Sequence, residues 1–271
     1  MPYRHLKAIA SQFEFALTAL AVDARGQLHA GGDRAVEVYD GDGRRVGRWA
    51  ASRQVCSLTV AADGTVYVGE ERQIEIFSGA GQIVRTLRHP KLAGRVTSLG
   101  FSGDDLLAGD TWDRAIQRFD RTGTFLNSIG KDNPVNGLLI PNGAVDFAVA
   151  LNRTIFAANP GKHRVERYSP AGGLLGHCGR FDGRDPAGFT GCCNPTNVAI
   201  GGALFTTEKA GPRVKAYDFD GRLLGVLATD LFDPNCKNMD VAVSPAGAGP
   251  ERVYVADTVR RTIQVFEAVN S

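Results

Sequence analysis

Ile155-Phe156-Ala157-Ala158-Asn159-Pro160-Gly161-Lys162-His163-Arg164-Val165-Glu166-Arg167-Tyr168 reads as two short strands around a polar tip. An apolar run meets an amide, an arginine follows, and a second run closes on an aromatic. The same phrase recurs along the chain. Aromatics close the matching run at Tyr39, Phe77, Phe119, Tyr168, Tyr217 and Phe266, at steps of roughly forty to fifty residues, the period of propeller blades. Val66-Tyr67-Val68, Leu106-Leu107-Ala108, Leu204-Phe205-Thr206 and Val253-Tyr254-Val255 match Ile155-Phe156-Ala157, and Leu28-His29-Ala30 matches it more loosely. Glu70, Asp110, Asn159, Glu208 and Asp257 hold the tip, with Asp33 near the same place, and Arg34, Arg72, Arg114, Arg164, Arg213 and Arg261 follow. Val36, Ile74, Ile116, Val165, Val214 and Ile263 stand three residues before the aromatic, the odd spacing that puts the two on opposite faces of a strand. Turns such as Gly41-Asp42-Gly43, Arg121-Thr122-Gly123 and Phe219-Asp220-Gly221 lead into a fourth strand. The chain is predicted to be all-β, a six-bladed propeller of four-stranded blades.

The sixth repeat runs out soon after Phe266, leaving too little chain for its outer strand. Tyr3 to Ala10 is short and strand-compatible, so it is expected to complete the last blade and remove two exposed edges. One domain over residues 1–271 suffices: 43% of the residues are hydrophobic, and 33 glycines suit tight turns. No apolar run is long enough to span a bilayer, and Met1-Pro2-Tyr3-Arg4-His5 does not read as a signal peptide. The expectation is a cytoplasmic protein, although an exported one whose signal had been removed would read the same. A formal charge of +2 supplies no bulk attraction for nucleic acid.

The repeat of apolar pair, acidic tip, Arg-Ile or Arg-Val, aromatic and Asp-Gly resembles the NHL repeat over nearly the whole chain. A narrower likeness covers the fourth to sixth blades. Gly191-Cys192-Cys193-Asn194-Pro195-Thr196, Asn159-Pro160-Gly161-Lys162-His163-Arg164-Val165-Glu166 and Thr207-Glu208-Lys209-Ala210-Gly211-Pro212-Arg213-Val214-Lys215 are similar to a bacterial subgroup with GCCNP and T/S-E-K-G-x-R-V-K segments. Ala210 departs from the glycine usual there. The likeness marks a site without naming a reaction. NHL propellers include the peptide-amidating lyase, whose axial zinc is held by histidines. His5, His29, His89, His163 and His177 do not recur at inner-strand positions, so that chemistry is not expected here.

Loops between second and third strands, and those from one blade's outer strand to the next blade's inner strand, share one face, here the top. All five cysteines map to its half: Cys56 at the second inner strand, Cys178 at the end of the fourth blade, Cys192 and Cys193 before the fifth inner strand, Cys236 before the sixth. Cys193-Asn194-Pro195-Thr196-Asn197 and Cys236-Lys237-Asn238-Met239-Asp240 enter their strands in the same register, so Cys193 and Cys236 are expected as neighbours near the axis. Asp146, Asn197 and Asp240, with Ser57 and Ser98, should form a polar ring just below.

Thiolates on adjacent blades would suit a soft ion such as copper, zinc or iron, with Cys192, His163 or Cys178 assisting. A vicinal disulfide, a bridge to Cys236 and plain buried thiols remain open alternatives. The long polar connection from Gly179 to Gly191 reads as a lid or wall. Lys209 and His163 could serve as acid, base or anion anchor. Asp146, Asn197 and Asp240 could orient substrate or water. Glu208 with Arg213 reads first as an ion pair, and Arg164 belongs to the same tip set. Trp112 is an unusual tip residue that could pack against a ligand. The readings are therefore a cysteine-centred metal or redox site taking a small molecule or peptide at the top face, a non-catalytic peptide- or protein-binding ring, and, disfavoured by charge, an RNA-binding ring.

Overall fold

A computed structural model describes residues 3–131, 137–209, 211–247 and 249–269. Six four-stranded antiparallel sheets form the blades. Blade 1 contains Ala19–Val22, Leu28–Gly32, Ala35–Tyr39 and Arg45–Ala50; blade 2, Ser57–Val60, Val66–Gly69, Ile74–Phe77 and Ile83–Leu87; blade 3, Val96–Ser102, Asp105–Asp110, Ala115–Phe119 and Phe125–Ile129. Blade 4 contains Phe147–Val149, Ile155–Asn159, Arg164–Tyr168 and Leu174–Cys178; blade 5, Asn197–Ile200, Leu204–Glu208, Arg213–Tyr217 and Leu223–Ala228; blade 6, Val241–Val243, Arg252–Asp257 and Thr262–Ala268. The outer strand of blade 6 is Tyr3–Ala10, paired antiparallel with Thr262–Ala268 from Tyr3 opposite Ala268 to Ala10 opposite Thr262. The first strand of each blade packs against the first strands of the blades on both sides, closing the ring around the axis.

Stacking blade on blade explains why the repeat is apolar on both strand faces. Ala35–Tyr39 is buried at every position, whereas Arg45–Ala50, at the rim, is half-buried or exposed throughout. Each repeat aromatic is at most 2% exposed. The residue three before it faces a fixed partner on the outer strand: Trp49 opposite Val36, Leu87 opposite Ile74, Ile129 opposite Ile116, Cys178 opposite Val165, Ala228 opposite Val214 and Ile9 opposite Ile263. In five of the six junctions the turn glycine of the following blade lies against this partner or its ladder neighbours: Gly43 on Ile9, Gly81 on Trp49, Gly123 on Leu87, Gly172 on Ile129 and Gly221 on Cys178. These glycines have positive φ, 91° at Gly221, where a methyl group would sit 2.2 Å from Cys178 Cβ.

The recurring acidic tips have a structural task as well. Asp33 accepts the backbone N–H groups of Glu14, Phe15 and Ala16; Glu70 that of Arg53; Asp110 that of Gly94; Asn159 that of Leu139; Asp257 that of Asp233. Each of these five tips thus ties down the top loop entering from the preceding blade by satisfying its backbone amides. No described helix is long and apolar enough to cross a membrane.

Candidate functional site

Beneath the top face an axial cavity of about 250 Å³ is walled by inner strands of all six blades, among them Leu20, Leu58, Leu99, Phe147, Val198 and Val241. The residues immediately before the last three of these form the polar collar expected from the repeat. Asp146 Oδ2 accepts Val198 N–H at 2.6 Å, stapling blade 4 to blade 5. Asp240 Oδ2 accepts Leu20 N–H at 2.6 Å, stapling blade 6 to blade 1. The Asn197 amide hydrogen-bonds both carboxyls, and its Oδ1 is buried with no hydrogen-bond partner among the described residues. Burial, then the nearby Asp240 charge, raises Asp146 well above the usual carboxylate range. Burial pushes Asp240 up to about 7. The pair therefore retains proton density near neutrality, held as one coupled unit. Ser98 also hydrogen-bonds Asp146, and both serines bond across blades, Ser57 Oγ to Val96 O at 2.7 Å and Ser98 Oγ to Phe147 O at 3.2 Å.

The cysteines divide. Cys192 is exposed and Cys193 buried, with their sulfurs 2.9 Å apart. The hydrogen bond from Cys193 and then the Lys209 ammonium lower the Cys192 pKa, whereas burial and the bond given to Cys192 raise that of Cys193. Asn194, fully buried, builds this arrangement: its Nδ2 donates to Thr190 O at 2.6 Å and Lys209 O at 3.1 Å, and its Oδ1 accepts Lys209 N–H at 2.9 Å. One side chain thus binds the cysteine segment to the turn bearing Lys209. Ala210, next in sequence, lies outside the described residues.

Cys236 has other company. It is 1% exposed within an apolar cluster that includes Phe232, Met239 and Val241, and its thiol donates to Asp257 Oδ1 at 3.2 Å. Burial and the Asp257 carboxylate raise its pKa. Cys178 fills the inter-blade wedge position that Trp49, Leu87 and Ile129 occupy elsewhere. Cys56 donates weakly to Gln54 O at 3.7 Å, and burial pushes its thiol up to about 11. The structure therefore brings Cys192, Cys193 and Lys209 together and gives Cys236, Cys178 and Cys56 separate surroundings. Among the described residues, no group of three or more His, Cys, Asp or Glu side chains is placed to hold a metal ion.

The 179–191 connection is a wall pinned to blade 5. Phe189, 1% exposed, packs on Tyr217, and the buried Lys215 Nζ donates to Gly188 O at 2.6 Å while pairing with Glu208 at 2.5 Å. Glu208 also pairs with Arg213 at 2.7 Å, the ion pair expected from the tip pattern. Arg164 pairs likewise with Glu166, at 2.5 Å. His163 lies edge-on to Phe181 of the wall, ring centroids 5.0 Å apart. Trp112 lies on the blade 3 tip and is 73% exposed. Sequence reasoning assigned no role to Asn194, because it has no counterpart in the repeat; its only signal was membership of the Gly191–Thr196 segment.

No family model matches the chain, and no curated protein does. Solved structures do. The selenomethionine-substituted virginiamycin B lyase from Staphylococcus aureus superposes with a TM-score of 0.65 at 12% identity, covering 98% of this chain and 100% of that one. A catalytically inactive variant of the same lyase, with Quinupristin, gives 0.65 at 13% identity and the same coverage. At such identities the likeness bears on the overall fold and nothing finer, the six blades being this chain's own six sheets.

Proposed function

We propose that the Cys192–Cys193 dithiol, with Lys209 beside it, is the functional centre of the top face and takes a thiol-reactive ligand, foremost a soft metal ion. One observation carries this reading: an exposed thiol of lowered pKa stands 2.9 Å from a second sulfur, beside a lysine whose turn is locked to the same segment. Thiolates are the reactive and metal-binding form of cysteine, and a neighbouring cation increases their population. Among copper, zinc and iron, two sulfurs with no third protein ligand among the described residues suit copper(I) better than zinc, which takes four ligands in structural sites and three protein ligands in catalytic ones. A reducing cytoplasm would keep both sulfurs available. The NHL-like repeat and the GCCNP segment agree with this placement. The axial Asp146, Asn197 and Asp240 would serve as a proton-holding collar that orients water or substrate below the dithiol.

Metal analysis of protein purified without chelator or histidine tag and loaded with copper(I) tests the reading. Stoichiometric copper is expected in the wild type and in Cys236→Ser, and its loss in the Cys192→Ser/Cys193→Ser double variant. Equal copper in all three, or none in any, would remove the site. The alternative is a peptide-binding ring without chemistry, favoured by Phe181, which stands 63% exposed on the pinned wall. Peptide capture that survives the double cysteine variant would support that alternative.

A further inference from the structure

On the top face of blades 2 and 3, away from the cysteine segment, a shallow, open depression of about 590 Å³ is lined by Arg72, Arg88, His89, Pro90, Leu92 and Trp112. We infer that it is a binding site for a small planar aromatic anion, the ring lying on Trp112 and the anionic group between Arg72 and Arg88. Trp112 is 73% exposed, and among the described residues no cation and no other ring packs on its face. An indole face left open in a concavity is a stacking platform for a flat ring. Neither Arg72 nor Arg88 has a carboxylate within ion-pairing distance among the described residues. Arg88 is nevertheless aimed: its Nε donates to Gln73 Oε1 at 3.0 Å, and Gln73 Nε2 donates to Glu70 at 2.5 Å. Its terminal nitrogens remain available as a fork for a carboxylate or phosphate.

The walls are built together. Arg72 N–H donates to Gly94 O at 2.8 Å, and Gly94 N–H donates to Asp110 Oδ2 at 2.8 Å. Asp110 Oδ1 accepts Trp112 N–H at 3.1 Å. A methyl group on Gly94 would meet Trp112 N at 2.6 Å, so glycine permits this close approach. His89 is locked by stacking on Phe125, centroids 5.8 Å apart, and by accepting Lys91 N–H at 3.1 Å. Two guanidiniums with no carboxylate partner among the described residues and an open indole are therefore carried on backbone segments tied to one another by hydrogen bonds.

Phenyl phosphate and benzoate are suitable probes, with cyclohexyl phosphate and inorganic phosphate as controls. Of the two tryptophans only Trp112 is strongly exposed, so saturable quenching of emission by the aryl anions is expected, with cyclohexyl phosphate weaker by about threefold or more, the share of ring stacking. By calorimetry, Arg72→Ala and Arg88→Ala should each weaken binding by about tenfold, Trp112→Ala by a similar factor, and Trp112→Phe by less. Cys192→Ser should change nothing, which separates this site from the dithiol. If Arg88→Ala fails to fold, Arg88→Gln reports the same loss. No saturable binding of either aryl anion at millimolar concentration, or binding indifferent to all of these substitutions, would overturn the assignment. Equal affinity for inorganic phosphate would overturn its aromatic half.

Discussion

Cys193 and Cys236 enter their inner strands in the same register on adjacent blades, yet they are chemically opposite. Cys193 touches a second thiol and the Lys209 ammonium; Cys236 donates to a carboxylate inside an apolar cluster. The difference originates at the blade tips. Glu208 is occupied by Arg213 and Lys215, so the residue presented to sulfur in blade 5 is Lys209. In blade 6 Asp257 itself faces the sulfur. Backbone register thus determines where an atom sits, and the charge of its neighbour determines what that atom can do.

The comparison can be broken most forcefully at the ring closure. In the intact protein Cys192 should alkylate at least about a hundredfold faster than Cys236, whose reaction requires local opening. Removing residues 3–10 takes away the outer strand of blade 6 and Tyr3, which packs on the cluster around Cys236. Mass-resolved iodoacetamide labelling should then show the two rates converging; a preserved gap would mean that the closing strand does not protect blade 6.

Stability offers the next division. Cys236→Ala should cost about 1–2 kcal/mol through a small cavity and an unpaired Asp257, whereas Cys192→Ala at the surface should stay within about 0.5 kcal/mol. Urea melts measure both, and equal costs would contradict the burial contrast.

The acid collar sharpens the comparison from below. Because Asp146 and Asp240 are raised in the folded state, the native protein binds protons that the unfolded chain has released. The contribution of this pair to stability is therefore greatest below the unfolded carboxylate pKa of about 4 and falls as pH rises toward about 7, where Asp240 titrates. Asp240→Asn should flatten this decline by on the order of 1 kcal/mol between about pH 5 and about pH 8, and Cys192→Ser should leave it unchanged. The smallest effect belongs to Lys209→Met, which should slow Cys192 alkylation at neutral pH by roughly threefold while leaving Cys236 unaffected.

The fold was legible because one phrase, repeated six times, carries both the strand period and the turn chemistry. The collar was legible for the same reason: Asp146, Asn197 and Asp240 each stand at the head of an inner strand, where the register is unambiguous. Cys178 was less so. A register shift between Arg167 and Tyr168, which recurs at the matching place in other blades, offsets the fourth strand against the third, so its wedge position opposite Val165 emerges only from the pairing. The split between Cys193 and Cys236 depends on which way tip side chains turn, a three-dimensional property that spacing does not encode. Asn194 and the Arg72–Trp112 cavity assemble residues from different loops, and no local pattern announces such assemblies.

The tip carboxylates grip their loops chiefly through main-chain amides, at Glu14 to Ala16, Arg53, Gly94 and Asp233, with the Cys236 thiol on Asp257 as an added side-chain contact. Such a clasp is indifferent to what the clasped segment carries outward. Loop chemistry can consequently differ from blade to blade on one scaffold: Cys192 and Cys193 stand beside Lys209 at blade 5, while Arg72, Arg88 and Trp112 line a hollow over blades 2 and 3.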